Sequence, residues 1–393
     1  MGASQTRILE AATLLDGRGH DVTVLTGMPN YPDGIIRPEY RGSWRRIEWL
    51  KGIRVVRTAV YPAANRGFAK RLINHTSFAL SSLSALRAVG RTDVIVAETP
   101  PLFTAAAAVV IARALNARLL LNVSDLWPES AVQLGMLNNR LAIRVAEWIE
   151  RFVYRFSDTV TVPTPGMRRI LLERGYGEDK VKLLPNAVDT DRFSHLPAAA
   201  AELCRAMYCG TVGLAQGVGT LLAAAELLER DDVPVEVMVV GDGAERAALE
   251  EQARRSGLKR ITFAGSVSRD EVPQRIASAN VTVMTLRDLP LFEDALPTKL
   301  LEYMAAGRPV VAGASGQAAR MLEEVGAGIA CPPENPEALA EAISRLASDP
   351  QLAQEMGARG RQYVEEQLSR RAMVDQLEAE LDALDRNAAP ASD

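Results

Sequence analysis

Asp294, Lys299 and Glu302 stand close together in the string F-E-D-A-L-P-T-K-L-L-E-Y-M-A-A-G-R-P-V, residues 292–310. Pro297 and Thr298 can open a helix there, because the proline bars its extension backwards. Gly307 can close that helix in a left-handed cap, so it is expected to run to about Ala306. Free N–H groups and the positive end of the dipole at such an N-terminus suit a diphosphate. Lys299 adds a full positive charge. Glu302 lies one turn beyond Thr298 on the same face, where a carboxylate can accept both hydroxyls of a ribose. Asp294 precedes the helix and can reach past the phosphate toward a sugar.

Two glycine-bearing turns point the same way. In Y-C-G-T-V-G-L-A-Q-G-V-G-T-L-L, residues 208–222, a strand ends at Gly210 and a helix opens near Gly217. The loop holds Gly213 and Gln216, and its backbone N–H groups can face a phosphate. In V-V-G-D-G-A-E-R, residues 239–246, Gly241 and Gly243 suit a tight turn near a nucleotide, with Glu245 and Arg246 in solvent. Alone, that Gly-x-Gly is a weak dinucleotide signal, since it lacks a third glycine. A fourth string, L-N-V-S-D-L-W-P-E-S-A-V-Q-L-G at residues 121–135, places Asp125, Trp127 and Glu129 after a strand. The Asp125 carboxylate can bind a hydroxyl or cap the next helix. No His, Asp and Glu spacing suggests a metal site.

These turns need sheets behind them. Short β-branched runs alternate with Ala/Leu/Arg/Glu-rich stretches, the pattern of βαβ units and parallel sheets. Expected strands are 21–26, 55–59, 93–98, 118–123, 159–163 and 181–184, then 206–209, 235–240, 261–264, 281–285 and 310–312. At 393 residues the chain is too long for one ordinary core. Regular alternation stops at 185–196 and restarts at Ala206. That divides the chain into a first domain at 1–190, a second at 191–365, and a helix and tail at 366–393 that can pack back on the first domain. The fold expected is α/β: two doubly wound Rossmann-like domains with a cleft between them, ligands sitting at strand carboxyl ends.

The residue 292–310 string resembles the acid-x7-Glu element of the retaining GT-B glycosyltransferases, of the group 1 or family 4 type. The resemblance implies that Asp294 contacts the donor sugar and Glu302 the ribose. Most members carry Glu at the first position, so Asp294 shortens the reach. The loop at 208–222 resembles the first βα turn of the family's donor domain, though no Arg occurs between Gly210 and Gln216. Residues 184–193, L-P-N-A-V-D-T-D-R-F, resemble its interdomain signature. The string at 121–135 is similar to a bacterial polysaccharide subgroup of the N-acetyl-L-fucosaminyl transferase type. In all, the resemblance covers nearly the whole chain. It implies transfer of an N-acetylhexosamine from a UDP-sugar to a lipid-linked glycan acceptor, with retention and without a cofactor or metal. A non-catalytic nucleotide-sugar-binding protein and a UDP-sugar 2-epimerase of the same fold stay open as alternatives.

Composition fits a cytoplasmic globular protein, with 48% hydrophobic and 24% charged residues and three scattered cysteines. Residues 1–190 carry 25 Lys and Arg against 17 Asp and Glu, a net of +8, while the rest of the chain is acidic. The basic half suits an anionic partner or an anionic membrane surface, and no nucleic acid partner is expected. Residues 65–78 mix Arg66, Lys70 and Arg71 with Phe68, Leu72, Ile73 and Phe78. They read as an interfacial amphipathic helix against an anionic membrane, or as a surface helix facing the core. One oddity remains at the start. The first element reads as a helix, 4–17, where a doubly wound domain opens with a central strand. The expectation is a reading frame that begins upstream.

Overall fold

The computed structural model describes residues 3–30, 34–63, 68–193 and 203–386. It divides into two compact units, Met1–Leu184 with Met373–Asp393, and Pro185–Ala372. The division falls a few residues before 190. The Val188 N–H donates to the Leu368 carbonyl, Arg370 N–H donates to Val188, and Phe193 is buried in the second unit's core.

The strands of the first unit are β1 Thr23–Gly27, β2 Arg45–Leu50, β3 Ile53–Thr58, β4 Val94–Thr99, β5 Arg118–Val123, β6 Thr159–Val162 and β7 Val181–Leu183. Its helices are α1 Ala3–Asp16, α2 Phe68–Ser82, α3 Leu86–Val89, α4 Leu102–Leu115, α5 Glu129–Gln133, α6 Arg140–Phe156 and α7 Pro165–Glu173. Among the described residues the strands form two sheets, β1-β3-β2 and β4-β5-β6-β7, parallel except for β2. β5 is Leu-rich and nearly all buried, as a strand covered on both faces must be. β2 joins β3 through Lys51 and Gly52, both at positive φ, which is the geometry of a two-residue hairpin.

The second unit is one parallel sheet. Its strands are β8 Cys204–Cys209, β9 Val235–Val240, β10 Ile261–Gly265, β11 Val281–Thr285, β12 Val310–Gly313 and β13 Gly328–Cys331. The order is β10-β9-β8-β11-β12-β13. The helices are α8 Val218–Arg230, α9 Arg246–Arg255, α10 Val272–Ala277, α11 Thr298–Ala305, α12 Gly316–Val325, α13 Pro336–Ser348 and α14 Pro350–Gln367. The centre of the sheet is buried throughout: every residue of β11 and β12 is buried, Thr282 and Thr285 among them.

The last helix, α15 Arg370–Arg386, changes units at Met373. Arg18 bonds Asp375 and Glu378 at 2.5 Å each, and His20 meets Glu378 at 2.8 Å. No helix of the described residues is long and apolar enough to cross a membrane.

Candidate functional site

The order of the second sheet reverses at its two central strands, β8 and β11. In a doubly wound sheet the loops after such strands frame a ligand site. Here the two loops touch: the Arg287 N–H, after β11, donates to the Ala215 carbonyl, after β8 (3.2 Å). Gly217, at φ +57, caps α8 beside Leu286 and Arg287. Gln216 N–H closes the turn onto the Gly213 carbonyl, 3.1 Å.

The loop after β11 ends in α11. Pro297 occupies the N-cap with no side-chain hydrogen bond, and Thr298 is the first helical residue, exposed. The first amides of a helix have no intrahelical acceptor, so those of Thr298 and Lys299 point outward. The helix ends at Ala305, is capped at Ala306 and turns at Gly307, φ +66. Tyr303 pins α11 to the end of β8. Its hydroxyl accepts from the Cys209 N–H at 2.8 Å and donates to the Cys209 carbonyl at 2.9 Å.

Lys299 turns back toward β8. Its Nζ donates to the Tyr208 hydroxyl at 2.6 Å and lies 4.2 Å from that ring's centroid. The Tyr208 hydroxyl in turn donates to the Thr211 carbonyl, 2.6 Å, so one tyrosine holds both lysine and loop. Burial pushes the Lys299 ammonium down to about 7. A methyl group at Gly210 would sit 3.2 Å from Lys299 Nζ, so glycine leaves room for the lysine.

The amides of the β8 loop are not all open to a phosphate, as the sequence reading expected. Gly210 N–H donates to Val240 (2.9 Å) and Val212 N–H to Asp242 (3.0 Å). Gly241 and Gly243 explain the contact. A Cβ on Gly241 would lie 1.8 Å from the Gly210 carbonyl oxygen, and one on Gly243 would lie 2.1 Å from that of Val212. Both glycines let two loops meet backbone to backbone. Arg246 is also not in solvent: its guanidinium is partly buried against Gly265, within 4 Å of Asp242 and Glu250.

Glu302 lies one turn into α11 and is half-buried. Burial pushes its carboxyl up, while Arg269, Arg192, Lys299 and Arg370 pull it down, in that order. Among the described residues no donor hydrogen-bonds its carboxylate, so its oxygens remain available to a ligand. The three arginines escaped the sequence reading because they come from three distant segments. Asp294 sits half-buried in the turn before α11. That turn is fixed on both sides. The Glu293 carbonyl accepts from Gln317 N–H at 2.7 Å, and Asn186 Nδ2 donates to the Leu296 carbonyl at 3.1 Å. The Glu293 side chain is exposed.

In the first unit Asp125 follows β5 and is held internally. Ser130 Oγ donates to its Oδ2 at 2.8 Å, and burial pushes its carboxyl up. Trp127 packs on the core, and exposed Glu129 pairs with Arg174 at 2.5 Å while its charge also acts on Asp125. Residues 65–67, Arg66 included, and the side chains of Phe68 and Arg71 lie outside the described residues. Of the remainder, Leu72 and Ile73 are exposed, whereas Phe78 turns inward to contact Gly27.

Comparison with known proteins follows this division. Residues 2–187 match the model of the glycosyl transferase 4-like domain, and residues 203–363 that of the glycosyl transferases group 1. The colanic acid biosynthesis glycosyl transferase WcaI of Escherichia coli K12 is 28% identical over 85% of this chain and 86% of its own length. Sucrose-phosphate synthase of Thermosynechococcus elongatus superposes with a TM-score of 0.79 at 20% identity, over 98% of this chain and 94% of that one. HepE of Anabaena, solved with UDP-glucose, gives 0.71 at 18% identity over 98% and 96%. With both halves matched in order and the whole fold shared, the chain belongs to the group 1 glycosyltransferases of GT-B architecture.

Proposed function

We propose that this glycosyltransferase moves a sugar, an N-acetylhexosamine, from a UDP-sugar to a lipid-linked glycan acceptor in polysaccharide biosynthesis. The observation that carries the donor half is the meeting of Lys299, the open start of α11 and Glu302 at the reversal of the second sheet. In this reading the diphosphate lies on the Thr298 and Lys299 amides with the Lys299 ammonium beside it. Glu302 accepts the ribose hydroxyls, its charge kept by the arginines around it. Asp294 contacts the sugar and Asp125 orients the acceptor. UDP and a polysaccharide role are supported by the UDP-glucose complex of HepE and by the colanic acid assignment of WcaI.

Bond breaking at the anomeric carbon leaves negative charge on the departing diphosphate. Helix amides and an ammonium aimed at that charge lower the barrier where it develops. The diphosphate oxygen can take the proton of the attacking hydroxyl on the same face, giving retention with no separate base. A panel of UDP- and GDP-sugars with a lipid-linked acceptor, read by mass spectrometry, tests the reading. A glycolipid product formed from a UDP-N-acetylhexosamine is expected. Nucleotide binding without product from any donor would leave a binding protein, and conversion of the donor without acceptor would leave an epimerase.

A further inference from the structure

Leu141, Val145, Trp148, Phe152 and Phe156 recur every three or four residues along α6, a single helical stripe. It borders the face that joins the core, formed by Ala146, Ile149, Val153 and Tyr154, and Phe152 packs on the edge of that core. Leu141 is 70% exposed, Trp148 62% and Val145 47%. The aromatic groups order one another, with Trp148 stacked on Phe152 at 5.9 Å and Phe152 against Phe156 at 5.0 Å. α4 packs against both α2 and α6. On those neighbours Val110, Ile73 and Leu80 are also exposed, at 48–67%. Scattered exposed apolar side chains are ordinary; an ordered aromatic stripe along one helix marks an interaction site.

Charge chooses the occupant. Arg140, Arg144, Arg151 and Arg155 fall on one flank of the stripe, and Arg113 of α4 lies over the Phe156 ring at 5.1 Å. The two acids of α6 do not offset this ridge: Glu147 stands beside Arg151, and Glu150 is buried against Arg174. A second copy of this face would bring the same arginines and no row of acids to receive them. We propose that the α6 face docks on an anionic lipid bilayer, the apolar stripe at the acyl boundary and the arginine ridge on lipid phosphates. This adds α6 to the membrane contact expected at residues 65–78. The assignment rests on the lipid-linked acceptor reading for its purpose only, since docking is measured with neither donor nor acceptor present.

The test floats the full chain with vesicles of phosphatidylcholine, with and without phosphatidylglycerol. Binding is expected to the anionic vesicles, with little to the neutral ones. Val145→Ser with Trp148→Ser should lower partitioning by roughly tenfold or more. Arg144→Gln with Arg151→Gln should lower it by about fivefold per arginine, on anionic vesicles only. Both double variants should keep the parent's hydrogen-exchange protection in β5 and β6, which shows that the first unit folds. Parent-like partitioning of the variants, or no binding to anionic vesicles, would overturn the proposal. So would light scattering that shows a dimer abolished by Trp148→Ser without vesicle binding. Those results leave the donor reading intact, whereas lost UDP turnover with normal docking sinks only the latter.

Discussion

Raising the pH from 7 to 8.5 should weaken UDP binding more than tenfold, through one lysine. Burial holds the Lys299 ammonium at about 7, against 10.5 in water. By simple titration about half is charged at pH 7 and about 3% at pH 8.5. If the diphosphate engages only the charged form, affinity falls about 16-fold, or ~1.6 kcal/mol. The UDP phosphate has its own last proton near pH ~6, below this window. A bound diphosphate raises the lysine pKa, so near pH 8.5 each UDP should bring about one proton with it. Calorimetry in two buffers of different ionisation enthalpy measures both quantities. Lys299→Arg stays charged throughout and should flatten the profile. The stability of the free protein should run the other way. The folded pKa lies below the unfolded one, so the unfolded chain holds more protons between pH 7 and 10, and this group's contribution to stability rises with pH. A flat affinity with no proton uptake would refute the reasoning.

Other substitutions divide the site further. Glu302→Ala should weaken UDP about 10- to 100-fold by removing charge-assisted bonds to the ribose, while inorganic pyrophosphate binds as before or tighter. Equal UDP affinity in calorimetry would count against the ribose role. Gly241→Ala forces a methyl group into the Gly210 carbonyl and should cost about 2 kcal/mol or more in denaturant unfolding, with UDP affinity reduced as the β8 loop moves. Asp125→Asn keeps the size of a buried group that already resists ionisation, so stability should hold. Turnover should fall with UDP affinity unchanged, and full turnover would remove Asp125 from acceptor binding.

The second unit was the more legible. Runs such as Val235–Val240 and Val281–Thr285 have no competing reading, and they formed as strands between those residues. β13 was missed because Gly328 and Ala330 dilute its pattern. Gly328 is there because a side chain would strike the Val310 carbonyl, a tertiary reason that leaves no local signal. β2 was missed because its outward face carries charge, although Lys51-Gly52 is the one local sign of its hairpin. At the site, cap chemistry and charge made α11, Lys299 and Glu302 readable. The Tyr208 contact with Lys299 and the arginines around Glu302 were not, because each joins residues many positions apart. The α6 stripe was hidden differently: one helix with two apolar faces looks in sequence like one helix with a wide core.

The first unit offers a further test, in how its two sheets are held together. Among the described residues β1 pairs only with β3, and β4 only with β5. Edge strands are stabilised by what covers them rather than by a second ladder. Here α1 contacts β3, and its Arg7 reaches the other sheet. The guanidinium donates to Glu98 of β4 at 2.6 Å and to Ser124, after β5, at 2.7 Å. The pair is mostly buried, with side chains 16% and 18% exposed. Arg7→Ala would leave the Glu98 carboxylate only the weaker bond from the Asn122 amide, 3.3 Å away, among the described residues. A partly buried carboxylate stripped of its cation costs roughly 2 kcal/mol. Hydrogen exchange should therefore show β1 and β4 opening before β5 in the parent, and earlier still in Arg7→Ala, with β8 and β11 unchanged. Because the second unit has its own six-strand sheet, UDP affinity should survive. Protection of β4 equal to that of β5, untouched by the substitution, would show that the two sheets are joined by something other than α1.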